Sequence, residues 1–392
     1  MRKLIFIALL IFAFYPVISA QKSEKVMVGA ESASEYLPLL EGKRVAVLSN
    51  QTGCIGNEHI VDMLHKKQVN IVCIFSPEHG FRGTADAGEH VSSSVDEKTG
   101  IPIKSLYEGD TGKPSDAVMK SIDVLVFDLQ DVGLRYYTYL TTMVRMMDAC
   151  ATAHVKMIVL DRPNPNGHYV DGPILDMKYK SGVGWLPVPV VHGMTLGELA
   201  GMVNGEKWLP NGAQCEIIVI KCKHYTHAMF YQLPIAPSPN LPNMRSVYLY
   251  PSICYFEATP VSLGRGTTTP FEVYGHPNMT GYDFSFTPKS IAGAKFPPQL
   301  NRLCHGVDLS KQPTNEELFA KGVDLSYVID AYRNLHLDDF FFNTAFERLI
   351  GVGYVRKMII EGKSADEIKA KWQGDVQKFK EQRKPYLLYP EK

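Results

Sequence analysis

The chain has 392 residues, with 41 lysines and arginines balanced by 41 aspartates and glutamates, and an apolar content of 45%. This length allows two or three domains, and the composition is that of an ordinary globular protein. Because the charges balance, no basic surface field favours nucleic acid or an anionic membrane surface, and both are disfavoured as partners.

The first twenty residues have the pattern of a secretory signal peptide. Arg2 and Lys3 precede an apolar run over residues 4–14, and Ile18-Ser19-Ala20 offers a cleavage site of small residues. No cysteine stands close behind the apolar run, which argues against a lipid anchor. An uncleaved membrane anchor is the alternative, although the run is short for a membrane span. We expect an exported protein, periplasmic or secreted, without stable membrane insertion after cleavage.

The seven cysteines favour buried free thiols over a disulfide framework. Their number is odd, most of them lie inside apolar runs, and no CxxC pair is present. Cys215 and Cys222 are near enough in sequence to pair, but no other feature of the sequence requires a bridge.

Four strand-like runs in the first half each end in a polar loop rich in glycine or proline. The predicted strands are residues 44–49, 71–75, 124–127 and 157–160, with helix-like segments at about 58–67, 116–121 and 137–153. Their alternation, with strands that are apolar throughout, predicts parallel βαβ units in a sheet covered on both faces. Right-handed crossovers place all four loops at one edge of the sheet, where a ligand site is expected.

The rest of the chain continues this α/β pattern into a second domain. Strands are predicted at 188–191 and 216–220, and helices at 196–203, 314–321, 326–336, 342–360 and 364–383. Thr195 and Glu198 have the spacing of a capping box, which gives Glu198 a structural role. Proline and asparagine are frequent over 232–245, which indicates a crossing between domains. We therefore expect domains over residues 21–245 and 246–392, after a signal peptide over 1–20.

The most informative motif is Ser-Pro-Glu-His-Gly-Phe-Arg-Gly at residues 76–83, directly after the second predicted strand. Glu78 and His79 sit on a turn fixed by proline and glycine, which suits a general acid or base, with Arg82 nearby to bind an anion or tune a pKa. A salt bridge that stabilises the loop is the alternative. Asp86 and Glu89 follow in the same loop, and glycoside hydrolysis commonly uses two carboxylates.

The loops after the next two strands carry carboxylates, guanidinium groups and clustered tyrosines. The candidates are Asp128, Gln130, Asp131, Arg135, Tyr136, Tyr137, Arg162 and Asn164, while Tyr139 is expected to belong to the core of the following helix. Sugars fit such a site, because their apolar faces stack on aromatic rings and their hydroxyls meet polar groups at the rim. The alternative for residues 161–167 is a rigid turn, since every residue there suits turns.

A second glycine-rich motif, Gly-Arg-Gly-Thr, occupies residues 264–267. Its glycines allow close backbone approach, and Arg265 can clamp a carboxylate. The sequence contains neither a P-loop nor a GxGxxG fingerprint, so no nucleotide cofactor is predicted. No HExxH occurs and no metal is predicted, although His79, His90 and His192 would allow a metal-dependent hydrolase if they met in space.

Taken together, these motifs resemble the NamZ-type exo-β-N-acetylmuramidases, a family long labelled as a domain of unknown function. The matching stretches are residues 76–83, 87–89, 126–133, 160–165, 192–195, 237–240 and 264–267. The resemblance implies a Rossmann-like first domain, a smaller α/β domain behind it, and a cleft between them. It also implies release of terminal N-acetylmuramic acid from peptidoglycan fragments during bacterial cell-wall recycling.

Carried over by motif, the resemblance makes Glu78 the catalytic acid and Glu89 its partner carboxylate. It makes Arg82, Arg135, Arg162 and Arg265 candidates for the lactyl carboxylate of muramic acid. The other candidate substrate-binding residues are His79, Asp128, Gln130, Asp131, Tyr136, Tyr137, Asn164, His192, Asn240 and Thr267. Thr84 departs from the acidic residue expected there in many relatives, which weakens any role for that position.

Three questions stay open at the level of sequence. The acetamido group of muramic acid can itself act as the nucleophile, so a second carboxylate is not obligatory. A metal-dependent cell-wall amidase or deacetylase, and a sugar-binding protein without catalysis, are the alternative functions. The oligomeric state is also undetermined.

Overall fold

The computed structural model describes residues 24–78, 80–81, 93–106 and 112–392. The expected signal peptide and the candidates His79, Arg82 and Glu89 lie outside the described residues, as do Asp86 and His90.

The strands in the described part of the chain are β1 (Val45–Ser49), β2 (Cys54–Ile55), β3 (Glu58–His59), β4 (Ile71–Ser76), β5 (Ser94–Val95), β6 (Pro102–Ser105), β7 (Val124–Asp128), β8 (Lys156–Leu160), β9 (Ile217–Ile220), β10 (Val273–His276), β11 (Phe284–Phe286) and β12 (Cys304–Asp308). The α-helices there are α1 (Ala33–Leu40), α2 (Ile60–Lys66), α3 (Asp116–Met119), α4 (Thr138–Ala153), α5 (Leu196–Gly205), α6 (Met244–Ile253), α7 (Asn315–Lys321), α8 (Ser326–Leu335), α9 (Phe346–Ile350), α10 (Tyr354–Ile360) and α11 (Ala365–Arg383). Short 3₁₀ segments lie at Gly29–Glu31, Met177–Tyr179, Pro210–Gly212, Cys254–Ala258, Asp338–Phe340 and Lys384–Tyr386.

The central sheet has seven strands in the order β5-β6-β4-β1-β7-β8-β9. All neighbouring pairs in it are parallel except β5 with β6. Without the edge strand β5, the order is that of Rossmann folds, 3-2-1-4-5-6, whose ligand crevice lies where the chain reverses its direction of travel across the sheet. The predicted Rossmann-like, mostly parallel sheet is confirmed, and the reversal point lies between β1 and β7.

The apolar runs that predicted these strands pack on both faces of the sheet. Val45 and Val47 of β1 join one apolar cluster, whereas Ala46 and Leu48 join the other, and β7 alternates in the same way. Side chains of a strand point to opposite faces in turn, so a strand covered on both sides must be apolar throughout.

The second half of the chain adds a three-stranded antiparallel sheet, in the order β10-β12-β11, with helices α6 to α11. This is the smaller second α/β part that was expected. One apolar cluster contains Ala46 of β1 and Phe379 of α11, so the two halves share packing. The boundary at residues 245 and 246 stays a prediction.

The structure differs from the predicted elements at several places, and three of these differences have a local physical reason. Residues 188–191 are buried but form no strand, because only Val191 makes bridges, with Leu134 and Asp171. The single helix predicted over 342–360 is two helices, α9 and α10, separated at Gly351, which has a φ of 88°. Helix α6 was not predicted, because Pro251 lies inside it and the proline-rich segment before it obscures its start.

Two local predictions are confirmed. Thr195 and Glu198 form the capping box of α5, and Glu198 also accepts hydrogen bonds from His227 and from the backbone of Leu388. All seven cysteines are free, and six of them are buried. Within the described residues, the longest apolar helices fall short of what a membrane span requires.

Candidate active site

A small pocket, with a cavity volume of about 100 Å³, lies in the cleft between the two halves of the chain. The first half contributes Glu78 and residues 136–139 to its wall, and the second half contributes Tyr250, Glu257 and Arg265. It therefore brings together the loop after β4, the start of α4 and the glycine-rich motif, although these are far apart in sequence.

Glu78 follows β4 by two residues and is fixed by a turn and a hydrogen bond. The backbone N–H of Gly80, whose φ is 77°, donates to the carbonyl of Pro77 and closes the turn. The hydroxyl of Thr138, the first residue of α4, donates to Oε2 of Glu78 over 2.5 Å. The carboxylate is thus held at the sheet edge where Rossmann folds bind ligands.

Four tyrosines line one side of the pocket. Tyr136 and Tyr137 each meet Tyr250 edge to face, with ring centroids 5.2 and 6.3 Å apart, and Tyr137 also meets Tyr139 at 4.8 Å. The hydroxyls of Tyr136 and Tyr137 donate to the carbonyls of Tyr250 and Pro237. Burial raises the pKa of both hydroxyls well above the usual range, so both stay neutral. Tyr139 is fully buried, as expected, yet it also borders the pocket.

Arg265 and Glu257 form an ion pair on the opposite half of the chain. The Nε of Arg265 donates to Oε1 of Glu257 over 3.1 Å, and a terminal nitrogen donates to the same oxygen. The guanidinium carbon lies 5.1 Å from the ring centre of Phe271, within the range of a cation–π contact. Glu257 belongs to no motif noticed in the sequence, because it lies in the 3₁₀ segment Cys254–Ala258 without a turn or glycine signal.

The backbone of the Gly-Arg-Gly motif requires glycine at Gly266. Its φ is 81°, and a Cβ there would lie 2.4 Å from the carbonyl oxygen of Lys289. Gly266→Ala should therefore lower the free energy of unfolding by about 2 kcal/mol more than Gly281→Ala. Gly281 is a matched control, because its φ is 83° and no atom lies within 4 Å of the added Cβ. Equal stability losses in denaturant titrations would contradict this account.

Arg135 does not reach the pocket, contrary to its expected role as a ligand for the lactyl carboxylate. Its guanidinium is fully buried and donates to four carbonyl oxygens, those of Pro173, Val188, Leu349 and Ile350. Burial lowers its pKa to about 10, which leaves it charged at neutral pH. These bonds give Arg135 a structural role, because it ties the loop before α4 to the end of α9.

Asp128 and Arg162 form a second buried pair, across the ends of β7 and β8. Nε and a terminal nitrogen of Arg162 donate to the two oxygens of Asp128 over 2.5 and 3.0 Å. Arg162 borders a different cavity, of about 580 Å³, with Cys54 and Tyr231. The two residues satisfy each other and lie outside the pocket that contains Glu78.

Gln130 and Asp131 build the loop after β7. The side-chain amide of Gln130 donates to the carbonyls of Asp131 and Pro163, and Oδ2 of Asp131 accepts from the backbone of Gly133. Oδ1 of Asp131 is buried without a hydrogen-bond partner among the described residues. Burial raises the pKa of this carboxyl group to about 7.

The raised pKa of Asp131 predicts a loss of stability with rising pH. Between about pH 4 and pH 7 the unfolded chain releases this proton while the folded protein retains it, so stability falls as pH rises through that window. The size is at most about 4 kcal/mol, from three pKa units. Asp161, whose pKa burial raises to about 6, adds in the same direction. Asp131→Asn should flatten the pH dependence of unfolding, whereas the exposed Asp116→Asn should not; equal slopes would contradict the assignment.

Three further candidates serve the fold of their own loops. Asn164 accepts from the backbone of Asn166 and donates to the carbonyl of Met194. His192 accepts from the backbone of Met194, and burial, with Arg383 and Arg135 nearby, lowers its pKa to about 3. The Thr267 hydroxyl donates to the carbonyl of Gly264.

Among the candidates in the described residues, the structure brings together Glu78, Tyr136, Tyr137, Asn240 and Arg265 around one pocket. It adds Thr138, Tyr250 and Glu257, which the sequence motifs did not single out. Asn240 is anchored by a hydrogen bond from its side-chain amide to the carbonyl of Gly293. Within the part of the chain that the structure describes, no group of three or more His, Cys, Asp or Glu side chains is placed to hold a metal ion.

Two family profiles match the chain over most of its length. The profile for the N-terminal part of the exo-β-N-acetylmuramidase NamZ matches residues 45–245, and the profile for the C-terminal part matches residues 248–389. The peptidoglycan β-N-acetylmuramidase NamZ of Bacillus subtilis (strain 168) is 38% identical over 389 residues, which cover 94% of this chain and 92% of that protein.

Two crystal structures from Bacteroides fragilis NCTC 9343, both of DUF1343 family proteins, share the fold. The first, at 1.30 Å resolution, is 62% identical with a TM-score of 0.88, and the match covers 94% of this chain and 99% of that one. The second, at 1.65 Å, is 29% identical with a TM-score of 0.77 over 93% and 99% of the two chains. The similarity therefore includes both halves of the cleft.

Proposed function

The chain belongs to the NamZ family of exo-β-N-acetylmuramidases, and from this premise we propose that it releases terminal N-acetylmuramic acid from peptidoglycan fragments. It is a glycoside hydrolase that serves peptidoglycan recycling. The observation that carries the proposal is the position of Glu78, which is held by Thr138 at the ligand-binding edge of the sheet, in a pocket walled by tyrosines.

Glu78 is the proposed general acid. A glycosidase acid protonates the oxygen of the bond that breaks, and its carboxyl group must be held in a fixed direction relative to the sugar. The turn at Gly80 sets the backbone of Glu78, and the Thr138 hydroxyl holds one of its carboxyl oxygens. Both constraints come from rigid elements, namely the end of β4 and the start of α4.

The remaining pocket residues fit a sugar with an acidic substituent. The rings of the tyrosines offer an apolar wall for one face of a pyranose. Asn240 is held at the pocket by the bond to Gly293 and offers an amide to hydroxyl or acetamido groups. Arg265 supplies a positive charge, and Glu257 is the second carboxylate at the pocket within the described residues.

The pattern of residues 1–20 supports the further proposal that the protein is exported and acts in the periplasm or outside the cell. Secretion can be measured directly, by comparing the location of the full chain with that of a chain lacking these residues. Retention of both in the cytoplasm would contradict the proposal.

The function is tested with a disaccharide of N-acetylmuramic acid β-linked to N-acetylglucosamine. We expect free N-acetylmuramic acid, and we expect no release of N-acetylglucosamine from fragments that end in this sugar at the non-reducing end. Activity should survive a chelator, because carboxylates perform the proposed chemistry. Loss of activity with the chelator would favour a metal-dependent enzyme, and cleavage at internal bonds of longer peptidoglycan fragments would contradict exo action.

A further inference from the structure

We propose that Arg265, positioned by Glu257, recognises the carboxylate of the bound sugar and thereby distinguishes a sugar acid from a neutral sugar of the same shape. This inference rests on the proposed function, because it takes the pocket beside Glu78 as the sugar site. It selects one arginine from the four that the sequence offered.

Arg265 is the only basic side chain at the pocket among the described residues. Arg135 gives its terminal nitrogens to four carbonyl oxygens, and Arg162 is bound by both oxygens of Asp128 beside another cavity. Arg82 lies outside the described residues. Of the three candidate arginines within the described residues, Arg265 alone borders the pocket beside Glu78.

The guanidinium of Arg265 has one edge in use and one edge available. One oxygen of Glu257 accepts hydrogen bonds from Nε and from one terminal nitrogen, Nη2. Glu257 therefore occupies the edge of the guanidinium that is formed by Nε and Nη2. No hydrogen bond to a described residue uses the other terminal nitrogen. A guanidinium offers five N–H donors, and its two terminal nitrogens can bind a carboxylate with two parallel bonds. The edge formed by the two terminal nitrogens, Nη1 and Nη2, therefore suits a carboxylate from the ligand.

The surroundings hold this cation in place before a ligand arrives. The ring of Phe271 makes a cation–π contact with the guanidinium, and Gly264 and Gly266 on either side both have positive φ, 85° and 81°. The Arg265 side chain is only 19% exposed. A preorganised guanidinium loses little side-chain entropy on binding, so more of the interaction appears as affinity.

The charges of the pocket give this arginine its selectivity. The other two charged side chains at the pocket in the described residues are the carboxylates Glu78 and Glu257. Among these three side chains only the guanidinium of Arg265 attracts a carboxylate, so the ligand carboxylate is placed beside Arg265. The acidic substituent is thereby directed towards Arg265. Glu257 acts through Arg265 and is a positioning residue.

The test is equilibrium binding of N-acetylmuramic acid and of its methyl ester, two ligands of nearly equal shape that differ in charge. The wild-type protein should bind the acid about 10-fold or more tightly than the ester, from one charge-assisted pair of hydrogen bonds. Arg265→Met should remove this preference and leave the affinity for the ester within about threefold. Arg265→Lys should keep part of it, because an ammonium keeps the charge but lacks the planar fork.

Glu257 is tested by the same ratio of affinities. Glu257→Gln retains an acceptor oxygen for Arg265 and should keep the preference for the acid, whereas Glu257→Ala should reduce it while ester binding persists. Ester binding in each variant shows that the pocket is still folded. A purely structural role for Glu257 would weaken the acid and the ester equally.

The inference is overturned if wild-type protein binds acid and ester equally, if it binds neither, or if Arg265→Met keeps the preference. The experiment requires no turnover, so it is independent of the hydrolysis assay. A protein that prefers the acid through Arg265 but releases no N-acetylmuramic acid would contradict the proposed function and support this inference.

Discussion

Glu78→Gln is expected to lower kcat for release of N-acetylmuramic acid by about 10²–10⁴-fold, the usual contribution of a general acid. Glutamine preserves the shape and an acceptor for the Thr138 hydroxyl, so the pocket should stay intact and ligand affinity should survive. Glu58→Gln is the matched control, because Glu58 is a partly exposed surface residue paired with Lys66. Steady-state kinetics and binding of N-acetylmuramic acid provide the two measurements.

Thr138→Val tests the hydroxyl group that donates a hydrogen bond to Glu78. Valine retains the volume of threonine but cannot donate to the carboxylate, so we expect a smaller fall in kcat than for Glu78→Gln, with KM little changed. Unchanged turnover in Glu78→Gln would show that Glu78 is not the general acid. Loss of ligand binding together with turnover would show that the substitution had disturbed the pocket.

Breaking the Asp128–Arg162 pair should have the largest effect on stability. Both side chains are almost fully buried, and removing one partner leaves the other charge without compensation. We expect Asp128→Leu and Arg162→Met each to lower the free energy of unfolding by about 3–5 kcal/mol, and the double variant that combines these two substitutions to lose much less than the sum. Denaturant titrations measure all three.

The same variants separate a structural role from a role in binding. If Asp128 and Arg162 only support the sheet edge, the folded fraction of each variant should retain its affinity for N-acetylmuramic acid. If a single variant stays stable but loses this affinity, Asp128 and Arg162 have a role in ligand binding. Additive losses in the double variant would show that the two charges do not depend on each other.

The sequence was sufficient to predict those helices and strands whose formation depends on residues close together in the chain. The strands over 44–49 and 124–127 were predicted because a sheet covered on both faces requires unbroken apolar runs. The Thr195–Glu198 capping box was predicted because its bonds join residues three positions apart. Helix α6 was missed for the corresponding reason: Pro251 is locally unfavourable for a helix, and packing in the shared core overrides that preference.

Some residues of the candidate site were likewise predictable from neighbouring residues, whereas others depend on contacts between distant parts of the chain. Turn chemistry and the predicted parallel βαβ units were enough to indicate Glu78 as an ionisable residue at the ligand edge of a parallel sheet. The motifs also drew attention to several arginines, but their roles were not distinguishable, because a guanidinium suits a buried carbonyl cluster, a buried carboxylate or a ligand equally well. Glu257 has no local signal at all and becomes relevant only through its contact with Arg265.

By itself, the sequence determined the parallel α/β sheet, the family and the carboxylate after β4, because strand periodicity, turn residues and motif order act over short distances along the chain. Among the candidate arginines in the described residues, only the tertiary structure decided which one meets the pocket. The terminal nitrogens of Arg135 donate to four carbonyls, including that of Leu349, which is 214 residues away, while Arg265 keeps an edge of its guanidinium available beside Glu257. Such pairings depend on how the two halves of the chain pack together.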